Sequence, residues 1–495
     1  MKSLSVNLLL LFLVQFVNAQ RAAIRGDFPD PSVEKVGDTF YAAGTSSNWA
    51  PALPIMKSKD LKNWQLAGSV FPDLTSWADY YYWAPELSYE NGKVYAYYTA
   101  HKKGGNLCVG VASADKPEGP FKDHGPLVCQ EVGSIDAFPI RDENNKLHLI
   151  WKEDGNSVGK PTPIWIQPMN EERTALTGEK KELFRNDSPW EANLVEGVSV
   201  IKNNGYYIAI YAAAGCCGST CTYATGVARA KNLMGPWEKY DQNPILAEQG
   251  DWMCPGHGTA ITVNGNNYFM YHAYAKSSNK YTGREVLIRR FEFTDDNWIR
   301  FTNEYLSPTD DNLPYTAIDQ FDKKKLDLHW SWSVFNKPEF ELKKGKIAMH
   351  IKDEREAFIA RKIDSQNYEA TVETIPGKNP KSGVALIGDD RNLIYAAAKQ
   401  DSIDIILVKD GARSSLGKFA VAAKGKHLFL KMVVKNNTDI GFSYSLNGKD
   451  FTSLKIASPD ITYLPPWDRA VRAGIIAKGI QGDVAVVESF VFQSQ

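Results

Sequence analysis

Residues 196–212 read Glu-Gly-Val-Ser-Val-Ile-Lys-Asn-Asn-Gly-Tyr-Tyr-Ile-Ala-Ile-Tyr-Ala. An acid leads an alternating apolar run, an Asn-Asn-Gly turn follows, and an aromatic-rich run closes the unit, which is the pattern of a β-hairpin. Four other stretches repeat it: 30–44 (DPSVEKVGDTFYAAG), 83–100 (WAPELSYENGKVYAYYTA), 136–151 (DAFPIRDENNKLHLIW) and 257–274 (HGTAITVNGNNYFMYHAY). The leading residues Asp30, Trp83, Asp136, Glu196 and His257 stand 53, 53, 60 and 61 residues apart. In a chain with few helical periodicities, that spacing predicts an all-β fold of five propeller blades. The leading residues then occupy equivalent places and converge near the central axis.

Working outward, LKNWQLAG around Trp64, PEGPFKDHG around Phe121, KELFRN around Phe184 and MGPWEKYDQNP around Trp237 follow the hairpins at similar phase. Each is expected to be an outer strand whose aromatic residue packs between blades. SPTDDNLPY (307–315) is polar, carries two prolines and reads as a linker. Beyond it, segments such as KIAMHIK, YEATVETI, SIDIILVK and VAVVESFVF alternate at period two, the mark of a β-sandwich. The expected division is a signal peptide over 1–19, the propeller over 20–308, a linker over 309–315 and the sandwich over 316–495.

The 495 residues suffice for two domains with full cores. Net charge is -1 without long runs of one sign, which disfavours nucleic acid and anionic membrane surfaces as partners. Lys2, the run LLLLFLV from Leu8 to Val14, and Val17-Asn18-Ala19 form a secretory signal with cleavage expected near Ala19. The apolar run is too short for a membrane span, so the mature protein is expected to be secreted or periplasmic, without a membrane partner. Export permits disulfides. Cys108, Cys129, Cys216, Cys217, Cys221 and Cys254 read first as loop staples, with free thiols or a metal cluster at GCCGSTC as alternatives, and spacing does not fix the pairing.

Two Asp, one Glu, one His and one Trp around one axis form a constellation suited to splitting glycosidic bonds. Hydrolysis with inversion needs one carboxylate to activate water and one carboxylic acid to protonate the leaving oxygen, on opposite sides of the sugar. Asp30 sits between two prolines, which fix local backbone. Asp136 lies among apolar residues, where an acid is costly unless bonded or functional. Glu196 precedes a glycine that allows close approach of a ligand. Each has a bland alternative: an Asp-Pro turn for Asp30, a bonded strand acid for the others. Their common register favours function. Glu86 and Asp27 lie near these motifs and read equally well as solvated.

Taken together, DPS at Asp30, WAPE at Trp83, IDAFPI at Asp136, VEG at Glu196 and GHGT at His257 resemble glycoside hydrolase family 43, in that family's order, over Asp27 to about Glu304. The likeness extends more loosely to a C-terminal concanavalin-like β-sandwich. It implies that Asp30 is the general base, Glu196 the general acid, and Asp136 the group that tunes the pKa of Glu196 and orients it. It also implies that Trp83 walls the sugar pocket, that Arg284 in YTGREV reaches the sugar, and that His257 faces the axis. No cofactor is required, but similar proteins often hold a structural calcium, through water, beside that histidine. Trp83 and His257 read alternatively as a core ring and a turn histidine, and Arg284 as a surface residue. One departure is Gly-Val after Glu196 where many members have Gly-Pro.

The resemblance makes the expected function that of an inverting exo-glycosidase on plant cell-wall oligo- or polysaccharides. α-L-arabinofuranosidase leads, followed by β-xylosidase and a galactose-releasing enzyme. The rivals are a carbohydrate-binding protein without catalysis, which needs no acid and base pair, and a retaining glycosidase of the invertase type.

Overall fold

The computed structural model describes residues 20–309 and 315–495. The expected signal segment and residues 310–314 of the expected linker lie outside the described residues. Each hairpin opens a four-stranded antiparallel sheet. The first strands of these five sheets are Ser32–Val36, Ala78–Glu90, Ser134–Arg141, Val195–Asn203 and Trp252–Val263. Each touches the next and the last touches the first, so they ring a common axis. Among the described residues the helical elements are three short 3-10 turns, and no helix is long and apolar enough to cross a membrane.

The cores lie between neighbouring sheets. Ile55 and Tyr98 meet between the first and second, Val111 and Leu149 between the second and third, Ile166 and Ala209 between the third and fourth, and Ile210 and Leu287 between the fourth and fifth. The fifth core joins Ile288 to Phe40 and is closed by Ile24 and Phe28 from the start of the described chain. There Ala23 N–H donates to the Val286 carbonyl at 2.8 Å. The outer-strand aromatics take up their expected places: Phe121 and Trp64 pack on the first–second and fifth–first cores, and Phe184 meets Trp237 at 6.0 Å. Hydroxyls peg adjacent inner strands, with Leu87 N–H donating to Ser32 Oγ and Ala260 N–H to Ser199 Oγ, each at 3.2 Å.

From Thr316–Asp319 onward two antiparallel sheets face each other. The larger centres on Val484–Ser494 and Tyr368–Thr374, and the six-stranded one on Arg472–Lys478 and Lys381–Asp389. Tyr368, Ala370 and Val372 alternate inward, as period two requires. The two parts are not beads on a string. Trp49–Ala50 of the propeller pairs with Trp332–Ser333 of the sandwich, and the Trp49 ring enters a core built from Phe358, Ile387 and Tyr395.

All six cysteines are paired: Cys108–Cys129, Cys216–Cys217 and Cys221–Cys254. The free-thiol and metal-cluster alternatives for GCCGSTC are therefore wrong. Adjacent cysteines bond to each other, and Cys221 instead reaches the strand that carries His257.

Candidate active site

At the inner end of every sheet the backbone leaves regular geometry. Asp30, Ala84, Asp136, Gly197 and His257 have φ of 52°, 43°, 59°, 61° and 33°. Four of the five inner strands also slip register beside these positions. A bulge places two residues opposite one and re-aims the side chains around it. Left-handed backbone at a residue other than glycine costs about 1–3 kcal/mol and persists where surrounding structure enforces it. At Gly197 the need for glycine differs from the ligand approach expected: a Cβ there would lie 2.7 Å from His257 Cγ. Gly197 makes room for the imidazole.

The structure brings Asp30, Asp136, His257 and Arg284 together. Asp30 Oδ1 lies 3.1 Å from Arg284 Nη1 and 3.6 Å from His257 Nδ1, and its Oδ2 accepts from Thr45 Oγ1 at 2.7 Å. Burial opposes its charge, but the Arg284 guanidinium, the His257 imidazole and the Thr45 bond overcome it and hold the carboxyl at about 2. His272, which lacks a place in the sequence reading, accepts from the Asp30 N–H at Nδ1, 3.0 Å away. Burial, with Arg284 beside it, pushes His272 well below the usual histidine range. Its 3.3 Å approach to Asp30 is therefore not an ion pair.

Asp136 Oδ2 accepts from the Gly197 N–H at 3.1 Å and lies 3.6 Å from His257 Nδ1. Burial pushes the Asp136 carboxyl up to about 7; His257 works against this, and Glu196 and Asp30 add to it. Asp136 thus holds its proton far more tightly than Asp30 does. Glu196 is held at both oxygens: Lys152 Nζ donates to Oε2 at 2.6 Å and Tyr223 Oη to Oε1 at 2.7 Å. Lys152 is only 1% exposed and also donates to Asp154 at 3.0 Å. Carboxylates on both sides keep this ammonium charged against burial. Neither Lys152 nor Tyr223 was legible as a site residue. Lys152 carries one signal, a charged side chain inside the apolar run LHLIWKE.

Trp83 is half-buried. Its Nε1 donates to Ser47 Oγ at 3.2 Å. Ser47 in turn donates to Asp468 Oδ2 at 2.5 Å. Asp468 belongs to the sandwich, and its carbonyl accepts from Arg284 Nη2 at 2.9 Å. The loop Trp467–Ala470 therefore reaches the propeller's leading residues. Asp27 accepts there from the Arg284 and Ala470 N–H groups at 3.2 and 3.3 Å and is buried, not solvated. Glu86 is not freely solvated either. Thr259 donates to it from the fifth inner strand at 2.8 Å, and burial raises its carboxyl well above the usual range. Arg284 is buried, which removes its surface alternative.

His257 turns Nδ1 toward two carboxylates and leaves one nitrogen for a metal. Calcium takes six to eight oxygens, so these side chains do not form a calcium cage by themselves. Among the described residues the one group of three His or acidic side chains with ligand atoms mutually within 4.8 Å is Glu373, His427 and Glu488, on the sandwich. Lys346 already pairs with Glu488 there.

Residues 19–299 match the model of glycosyl hydrolases family 43, and 318–466 match that of the beta xylosidase C-terminal concanavalin A-like domain. The chain is 25% identical over 499 residues to a xylan 1,3-beta-xylosidase of a Vibrio species, covering 87% of this chain and 89% of that one. It is 28% identical over 300 residues to a xylosidase/arabinosidase of Butyrivibrio fibrisolvens, where it spans 57% of this chain and only 56% of the relative. In fold it follows a family 43 protein of Bacillus licheniformis solved as a point mutant, with TM-score 0.83, 24% identity, and 96% and 99% of the two chains covered.

Proposed function

The chain belongs to glycosyl hydrolases family 43 and is an inverting glycoside hydrolase, and on that premise we propose that it releases terminal pentoses from plant cell-wall xylan or arabinan, α-L-arabinofuranose first. β-Xylosidase is the second reading, favoured by the Vibrio relative and by the match of the C-terminal domain. The observation that carries the proposal is the division of charge among the acids. Asp30 is held ionised beside Arg284 and is suited to draw a proton from water. Asp136 keeps a proton up to near neutrality and is bonded to the residue that follows Glu196. Glu196 serves as general acid, and Asp136 orients it through the Gly197 N–H. Lys152 and Tyr223 hold Glu196 in place before substrate arrives, and in the reaction the Glu196 carboxylic acid donates its proton to the glycosidic oxygen.

Trp83 and Arg284 bound the sugar together with Trp467 from the sandwich, whose ring lies 5.9 Å from Trp83. A wall contributed by the sandwich favours a pocket for one terminal sugar over an open cleft for endo cleavage. His257 holds the two aspartates apart; a calcium beside it would be carried through water, and no step depends on it. Three disulfides fit a protein that folds in an oxidising compartment, in keeping with secretion. The test is a screen on aryl arabinofuranoside, xyloside and galactoside, with NMR of the first-formed anomer. Release of a pentose with inverted configuration supports the proposal. Cleavage of none of the three removes it, and a retained anomer removes the assignment of Asp30 as base.

A further inference from the structure

Tyr80, Tyr81 and Tyr82 run directly into Trp83. On an unbroken strand successive residues face opposite sides, so Tyr80 would share the inward side with Tyr82. Only Tyr82 goes to the core, where it is fully buried. Pairing slips between Ala78 and Tyr80 and again between Tyr80 and Trp83, and Tyr81 takes φ 56°. Left-handed backbone is an outlier for so bulky a residue. The result is a continuous row: ring centroids lie 4.7 Å apart for Tyr80–Tyr81 and 4.3 Å for Tyr81–Trp83.

The sandwich lengthens the row at both ends. Phe335 lies 5.7 Å from Tyr80, and Trp467 stands next to Trp83. Phe335 is 51% and Trp467 53% exposed, and the three propeller rings are half-buried. His101 stacks behind Tyr80 at 4.1 Å and bonds Asp79 at 2.8 Å, which backs that end of the row. Neither the Tyr80 nor the Tyr81 hydroxyl bonds to a protein group among the described residues. An open aromatic row that begins at the wall of the pocket is unusual on a protein surface.

A pocket that admits one terminal sugar leaves the rest of the glycan outside, on the leaving-group side. We propose that the row from Trp467 to Phe335 is a ledge for that remainder: a main chain of linked pentoses, whose C–H faces pack on the rings and whose hydroxyls bond Tyr80 and Tyr81. This rests on the glycosidase reading above. The competing role is adhesion between the two domains.

The test uses Tyr80→Ala, Phe335→Ala and the double variant in the full chain. kcat/KM is measured on linear pentose oligosaccharides of increasing length and on an aryl glycoside with a one-ring leaving group. The expected result is a fall of about five- to tenfold per ring, through KM, in the ratio of long oligosaccharide to aryl glycoside, the scale of one aromatic contact. A ratio equal to wild type overturns the ledge, whether or not Tm falls, since adhesion alone weakens both substrates together. If the wild type releases no pentose from any substrate, the functional reading fails separately. Calorimetry of Glu196→Gln with the same oligosaccharides then decides: binding lost on adding Tyr80→Ala keeps the ledge, and binding unaffected by it overturns it.

Discussion

At the scale of single residues, the site separates three acids by their surroundings. Glu196→Gln should lower release from unactivated glycosides by about 10²–10⁴-fold, the usual scale of general acid catalysis. Aryl substrates with good leaving groups should lose much less; equal losses would take Glu196 out of the acid role. Asp136 carries a sign that can be checked. Its folded pKa of about 7 lies above the ordinary carboxyl value, so the folded state binds the proton more tightly. That stabilisation is present below about pH 4 and is lost as pH rises through 7. Asp136→Asn should therefore raise Tm more at pH 8 than at pH 4, by up to a few kcal/mol of stability at about 1.4 kcal/mol per unit. The alkaline limb of its kcat/KM profile should move as well. A pH-independent change in Tm with an unmoved limb would make Asp136 a structural group. Lys152→Met leaves Asp154 and Glu196 without their shared cation. Breaking a buried pair in this way costs about 3–5 kcal/mol, which urea unfolding measures.

At the scale of elements, the five inner strands assemble the candidate site by departing from strand geometry. Their bulges and left-handed residues turn one side chain per sheet toward the axis. Gly197 is the tightest of these positions. Gly197→Ala places a Cβ against the His257 ring at a φ that alanine disfavours. It should cost at least about 1–3 kcal/mol in stability and disturb His257 between the two aspartates. The expected outcome is a lower kcat on aryl and natural substrates alike. A variant with wild-type Tm and kcat would show that the fifth inner strand yields freely.

On the scale of the whole molecule, the sandwich is joined to the propeller by a short ladder, by Trp49 in its core and by Asp468 on Ser47 and Arg284. A chain ending near Pro308 should be poorly soluble or bind aryl glycosides with raised KM, because it bares Trp49 and strips Trp467 from the rim. A truncated protein fully active on an aryl glycoside, and weaker only on polymer, would mean that the sandwich is a detachable binding module. Asp468→Ala in the full chain asks the same question gently: KM should rise while the fold is retained.

The sequence by itself determined the repeating hairpins, the all-β class, the change of character beyond residue 315 and the register of Asp30, Asp136, Glu196 and His257. Those features are local or periodic. A hairpin is specified by its turn and its alternation, and a repeat of such units fixes equivalent positions before any contact is known. Tertiary structure alone decided the partners. Lys152 meets Glu196 across 44 residues, and Asp468 meets Ser47 across 421. The pairing of Cys216 with Cys217, the burial of Asp27 and the inward turn of Asp136 arise the same way. Each depends on which surfaces close against each other, and a buried charge reads in sequence like any other charge until its counter-charge arrives from a distant strand.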